Sequence, residues 1–224
     1  MLTKTKFVVN KTLIKDSLLQ VDNNNFKQTI NVPTGDYFTD TWQIKEEFKN
    51  SVWEEMLQVL PNDYGEARII VLPYGKCYQS HADIDDRYHL TLQSHYSYII
   101  DIDNKMMHEL TVDGNWYIMD ASNRHSATNF GLVNRIQFVV RKLLKNTKLD
   151  NPVWVKIYNT NLDPDYARFY FDDTLSGYLN FLFKNKYASN FKHDLDSVSF
   201  YIEKKFCDSL IKKIPNTFKY DTDE

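Results

Sequence analysis

Cysteine is scarce in this chain, with two in 224 residues. Cys77 and Cys207 lie far apart and form no metal or redox spacing. That excludes a disulfide framework and a cysteine-based zinc site, and it fits two free thiols in a reducing cytosol. Glycine and proline number six each, and there is no low-complexity tract or internal repeat. No apolar run approaches the ~20 residues that span a bilayer. The basic residues of the first ten positions have no long apolar stretch behind them, so no secretory signal is expected and the compartment expected is the cytoplasm. Charge of one sign is also missing. A net charge of −3 argues against a wholly basic nucleic-acid binder. What is present is 42% hydrophobic and 15% aromatic residues, ample surface for a globular core. The length suits a single domain over 1–224.

Phe7-Val8-Val9 reads as a short strand and Thr12 to Leu19 as a short helix. A longer helix is predicted from an N-cap at Asp40 or Thr41, because Ile44, Phe48, Val52, Met56 and Val59 recur at near-helical steps before Pro61. The period then changes to two. Residues 67–72, 87–95, 96–102, 107–112, 116–119 and 135–140 read as strands, with Asp113-Gly114 as a strong turn. Residues 153–158 offer one more strand. Many short antiparallel strands indicate a sandwich or barrel, mainly β with flanking helices. The expected core spans about 64–160, after an N-terminal segment 1–63 and before C-terminal helices within 161–220. Those helices are placed at Tyr166 to Lys186 and at Ser197 to Ile214, the second ended by Pro215. The last four residues read as frayed.

Five of the six histidines fall within 81–125. In Ser80-His81-Ala82-Asp83, an imidazole and a carboxylate stand two residues apart and so share one face of an extended segment. One metal ion can then be held from one strand end, with His125 as a second imidazole. Two histidines and one carboxylate leave open positions on a metal, as non-haem Fe(II) oxygen chemistry requires. Arg135 opens an otherwise apolar strand, where a guanidinium is costly to bury without an anion. The distal carboxylate of 2-oxoglutarate would supply that anion, with two parallel hydrogen bonds. Other readings stand beside these. The lesser alternatives are His81 and Asp83 as a hydrogen-bonded pair at a strand end, Asp85 or Asp86 as a substitute ligand rather than a solvated turn, and Arg87 and His89 as a polar outer face. His95 and His108 read as surface or core histidines, and Arg124 as touching either substrate or solvent.

The segments His81-Ala82-Asp83, Arg87-Tyr88-His89-Leu90, Trp116, Asp120, His125 to Gly131 and Arg135-Ile136 together resemble the aspartyl/asparaginyl β-hydroxylase family, which includes bacterial free-proline hydroxylases. The resemblance covers residues 68–140, about a third of the chain. It implies a double-stranded β-helix, or jelly roll, that uses Fe(II), 2-oxoglutarate and O₂. It implies His81, Asp83 and His125 as metal ligands and Arg135 as the anchor of the distal carboxylate. Arg87 and His89 match an Arg-x-His element that lines the co-substrate pocket in that family. Some animal members lack the carboxylate ligand. Asp83 makes this chain more similar to the free-proline hydroxylase branch, which does not make proline its substrate.

The expected activity is hydroxylation of an amino acid, free or within a peptide or protein, with no membrane or nucleic-acid partner and the oligomeric state open. Two rivals share the fold. A cupin-like metal protein that is not an oxygenase would not need Arg135, and a non-catalytic interaction module would not need all three ligands. The C-terminal helices are expected to form either a lid or a dimer surface.

Overall fold

Strand Arg87–Gln93 shows why the middle of the chain is β. Tyr88, Leu90 and Leu92 alternate with Arg87, His89 and Thr91, and a strand sends these two sets to opposite faces. The computed structural model describes residues 2–160, 162–163, 168–169 and 172–223. In it, Arg87–Gln93 lies inside a six-stranded antiparallel sheet. The order is Leu2–Val8, Asn115–Met119, Arg87–Gln93, Arg135–Lys142, Tyr64–Leu72 and Lys27–Thr29. Leu90 pairs with Trp116 on one side and Phe138 on the other. A four-stranded sheet, ordered Lys76–Cys77, His125–Asn129, Ser97–Asp101 and Met106–Glu109, supplies a second layer. The Asp113-Gly114 turn forms as expected, with Gly114 at φ +79°. A Cβ there would also lie 2.7 Å from the Val9 carbonyl oxygen.

The apolar face of the six-stranded sheet packs on two short helices, Lys11–Leu18 and Val52–Leu57. Ile14, Trp53 and Met56 join Ile69, Leu90, Trp116 and Phe138 in one cluster, with the Trp53 and Phe138 rings 5.4 Å apart. The helix predicted over residues 40–59 is therefore mostly wrong. Trp42–Ile44 is a strand paired with Asn31–Pro33, Glu46–Phe48 is one 3₁₀ turn, and only Val52–Leu57 is α-helical. The helical spacing runs across Asn50, whose φ of +56° breaks it, and the Asn50 N–H is taken by the Glu54 carboxylate. Pairing within the 31–44 hairpin overrides the local pattern.

The C-terminal prediction fails in the same way. Ser197–Glu203 is a strand, and α-helix resumes only at Cys207–Ile211. Val198, Phe200 and Ile202 are buried while Ser199 and Tyr201 are not, a period of two. This strand is central to a third sheet, ordered Ala188–His193, Ser197–Glu203, Pro152–Tyr158 and Lys219–Thr222. The tail predicted to fray thus ends in a paired strand. The predicted helix at 166–186 is present as Asp173–Lys184, capped by the Asp172 carboxylate on the Leu175 N–H. Its predicted first residues at 166, 167, 170 and 171 lie outside the described residues. Arg168–Phe169 pairs with Leu162–Asp163 as a short ladder. Leu175, Leu179, Phe183, Phe191 and Phe200 belong to the core between this helix and sheet. The architecture is mainly β, in antiparallel sheets with few helices. No helix among the described residues is long and apolar enough to cross a membrane.

Candidate metal centre and anion pocket

His125 opens strand His125–Asn129, and His81 lies beside it as an isolated antiparallel bridge. The two residues exchange backbone hydrogen bonds, His81 N–H to His125 O at 3.0 Å and His125 N–H to His81 O at 2.8 Å. This pairing brings the imidazoles together, with ring centres 4.5 Å apart and planes tilted by 54°. Each Nδ1 lies 2.9 Å from a carbonyl oxygen two residues back, Gln79 for His81 and Asn123 for His125. Donation from Nδ1–H there leaves both Nε2 lone pairs free for a metal. Both Nε2 atoms face Asp83 Oδ2, at 3.6 Å from His81 and 3.4 Å from His125.

Asp83 is wholly buried. Its other oxygen, Oδ1, lies 2.8 Å from Arg87 Nη2. Arg87 therefore claims one carboxylate oxygen and leaves the other for the point that the histidines face. Burial opposes the charged form of Asp83. Arg87, then His81 and His125, more than offset it and hold its carboxyl well below the usual range. Burial likewise lowers the His81 pKa, against the pull of Asp83 and with help from His125. Neither group carries a proton that a metal must displace at neutral pH. The trio's ligand atoms all lie within 4.8 Å of one another. One carboxylate oxygen and two imidazole nitrogens on one side of a point suit a divalent metal of the Fe(II) class. The residues present thus fit the group that the motif implies.

Behind this trio runs a line of buried charges. Arg87 Nε is 3.6 Å from Asp85 Oδ1. Asp85 Oδ2 is bound by both Nε and Nη2 of Arg141, whose guanidinium stacks over Tyr37 and Phe38. Asp85 is thus a buried partner of two arginines, and Asp86 is bound instead by Lys184, Asn180 and the Ala121 N–H.

Helix Asp173–Lys184 braces the ligand loops. The Asp173 carboxylate accepts from the Ala82 N–H at 3.1 Å, and Asn180 donates to the Asp83 carbonyl at 3.2 Å. Gly177 is the close approach that permits this, since a Cβ there would lie 2.3 Å from the Ser122 carbonyl oxygen. Gly177→Ala is expected to push the helix off both loops and weaken Mn(II) binding by about tenfold, as supporting-shell changes do. Calorimetric titration with Mn(II) checks this. Unchanged affinity would separate the helix from the metal site.

The polar face of Arg87–Gln93 is covered, so Arg87 and His89 do not form a solvent-facing surface. With Arg135, Gln137 and Arg68 they line a cavity of about 130 Å³, whose other wall carries Tyr78, His81 and His125. One water needs only ~10–15 Å³, so the cavity takes a small organic molecule. Burial pushes His89 down to about 3, with Arg87, Arg135 and His125 adding to the shift, so its ring is neutral. Gln137 lies beside it without a well-aligned hydrogen bond. Arg135 is 2% exposed. Its Nε and Nη1 have no hydrogen-bond partner, and its guanidinium sits 5.5 Å from the centre of the Tyr78 ring. No carboxylate among the described residues forms an ion pair with it. A buried guanidinium in that state would be stabilised by an anion.

His95 and His108 lie away from the cavity, and Arg124 is paired with Asp103 at 2.9 Å on the surface. Arg68 and Arg141 carry no role in the sequence reading, Asp85 appears there only as an alternative ligand, and helix Asp173–Lys184 appears there without a link to the metal site. The arginine of Ala67-Arg68-Ile69 interrupts an apolar run and was the one available signal.

No family model and no curated protein matches this chain. Among solved structures, an oxidoreductase of the 2OG-Fe(II) oxygenase family from Burkholderia pseudomallei is similar to it, with a TM-score of 0.35 and 9% identity. The match covers 51% of this chain and 66% of that one, just under two thirds of its length. A likeness so remote says nothing about the reaction, which is argued below from the side chains.

Proposed function

We propose that this chain is an Fe(II)- and 2-oxoglutarate-dependent dioxygenase that hydroxylates a C–H bond of an amino acid, free or as a residue in a peptide or protein. The observation that carries this reading is a cavity lined by His81 and His125 of the metal trio and by the buried Arg135, two of whose nitrogens have no hydrogen-bond partner. A metal-binding protein that used no anionic co-substrate would have no use for Arg135 there, and an interaction module would need neither feature. The motif set and the presence of Asp83 favour the aspartyl/asparaginyl β-hydroxylase family, in its free-proline hydroxylase branch, and a jelly-roll core within a single domain over 1–224. The expected compartment remains the cytoplasm.

Fe(II), when bound, supplies the chemistry by which O₂ and 2-oxoglutarate become succinate and CO₂ and one oxygen atom enters the substrate C–H bond. His81 Nε2, His125 Nε2 and Asp83 Oδ2 would hold the metal, and the two histidines also line the cavity. Arg87 keeps Asp83 Oδ1 occupied, which favours single-oxygen ligation. Arg135 binds the distal carboxylate of 2-oxoglutarate and sets its direction toward the metal. His89, neutral and buried, walls the cavity without competing as a cation. Burial of these groups excludes water from the reacting atoms.

The test is succinate release with Fe(II), 2-oxoglutarate and a panel of free amino acids and peptides. Succinate and a hydroxylated product should appear together, in equal amounts, for a member of the panel. Failure of the Mn(II)-loaded protein to bind 2-oxoglutarate would overturn the reading.

A further inference from the structure

Arg87 and Arg141 stand directly opposite each other on neighbouring strands, and both are buried. Like charges in that register repel, and burial strengthens the repulsion. Asp85 lies between them. Its Oδ2 meets both Nε and Nη2 of Arg141, and its Oδ1 lies 3.6 Å from Nε of Arg87. Arg141 is itself held against two rings, 4.2 Å from the centre of Tyr37 and 4.6 Å from that of Phe38. Charge compensation alone accounts for a carboxylate in this place. It does not account for how the donors of Arg87 are divided.

Nε and Nη2 lie along one edge of a guanidinium, and a carboxylate commonly takes that edge with both of its oxygens. In Arg87 the edge is split between two carboxylates. Nη2 lies 2.8 Å from Asp83 Oδ1, while Nε faces Asp85. Asp83 Oδ2 therefore stays with the histidines, whose Nε2 atoms are 3.6 Å away in His81 and 3.4 Å away in His125. Without the pull of Asp85 on Nε, the same edge closes on both oxygens of Asp83. The two-point grip is the stronger one for an arginine. It also takes the oxygen that faces the histidines.

We propose that Asp85, anchored by Arg141, is a positioning residue of the metal centre: it holds Nε of Arg87 away from Asp83 and so keeps Asp83 Oδ2 available as a ligand. A carboxylate that does not face the histidines thereby sets the affinity for the metal. Its effect on metal binding rests on the metal trio of the function proposed above, whereas its effect on Arg87 does not.

The experiment is calorimetric titration of the full chain with Mn(II), joined to a crystal structure of the metal-free variant. Asp85→Asn keeps the shape of the side chain. Its amide oxygen stays with the two donors of Arg141, so its NH₂ faces Arg87 Nε, donor against donor, and Nε turns to Asp83. Mn(II) affinity should fall ten- to a hundredfold, the range for supporting residues. The double variant Asp85→Asn/Arg141→Gln removes one charge of each sign and should show the same fall. It keeps the test decisive if the single variant, with an uncompensated buried charge, does not fold. If Asp85 only compensates charge, the double variant binds Mn(II) as the wild type does, and that result would overturn the proposal. Adding Arg87→Lys to the double variant restores a point charge that has no edge to close on two oxygens. Affinity should then return to within a few-fold of wild type, and no recovery would equally overturn the proposal. The metal-free variant should show Nε and Nη2 of Arg87 on the two oxygens of Asp83, and an edge still split would overturn it as well. A wild-type protein that takes up no Mn(II) would count against the function proposed above, while the crystal structure would still decide what Asp85 does to Arg87.

Discussion

Arg135→Gln lowers the affinity for 2-oxoglutarate by more than about a hundredfold. Losing one partner of a buried, hydrogen-bonded charge pair costs ~3–5 kcal/mol, and each ~1.4 kcal/mol is a factor of ten. The environment of Arg135 puts it in that class. It is buried, two of its nitrogens make no hydrogen bond, and it has the Tyr78 ring rather than a carboxylate beside it. The same facts give the variant a second signature. Without an anion, the buried guanidinium is a cost to the fold, so the ligand-free variant melts at or above the wild-type temperature. Stabilisation by added 2-oxoglutarate disappears. Calorimetric titration of the Mn(II)-loaded protein and a melting curve measure the two effects. Equal affinity in variant and wild type would move the co-substrate carboxylate to Arg68 or Arg87. Of these, Arg87 is already held by Asp83 and Asp85.

Asp83→Ala weakens Mn(II) binding at least ~100-fold, since a direct ligand outweighs the ten- to hundredfold that supporting residues contribute. It also largely ends succinate formation. His125→Ala abolishes Mn(II) binding. Among the described residues, Asp83 supplies the negative charge that faces both imidazole Nε2 atoms. Its removal also takes from Arg87 its partner at 2.8 Å, so the loss reaches the buried line of charges behind the site. Circular dichroism of each variant separates loss of metal from loss of fold. Activity of Asp83→Ala within a few-fold of wild type, at saturating Fe(II), would remove Asp83 from the ligands. Wild-type Mn(II) stoichiometry in His125→Ala would remove His125.

Local spacing made part of this site legible. His81 and Asp83 share a face because residues two apart in an extended chain must, and that needs no tertiary information. Arg135 stood out as a charge at the head of an apolar strand. The alternation of Arg87–Gln93 was likewise visible, yet it could not say what covers the polar face. A strand with one polar face looks the same whether that face meets water or a buried cavity. Only the second sheet decided that Arg87 and His89 are interior.

Sequence patterns also misplaced the two helices over 40–59 and 197–214. There, strand pairing, within the 31–44 hairpin in the first case and with Pro152–Tyr158 in the second, outcompeted the helical spacing. Three decisions belong to tertiary structure alone. The backbone bridge between His81 and His125 joins two loops far apart in sequence and aims both Nε2 atoms at one carboxylate oxygen. The Asp85–Arg141 pair holds Arg87 from behind. Helix Asp173–Lys184 reaches the ligand loops only because Gly177 lets two backbones touch. Each depends on which surfaces meet, a property of the folded chain as a whole, whereas the periods of two and 3.6 constrain only one segment at a time.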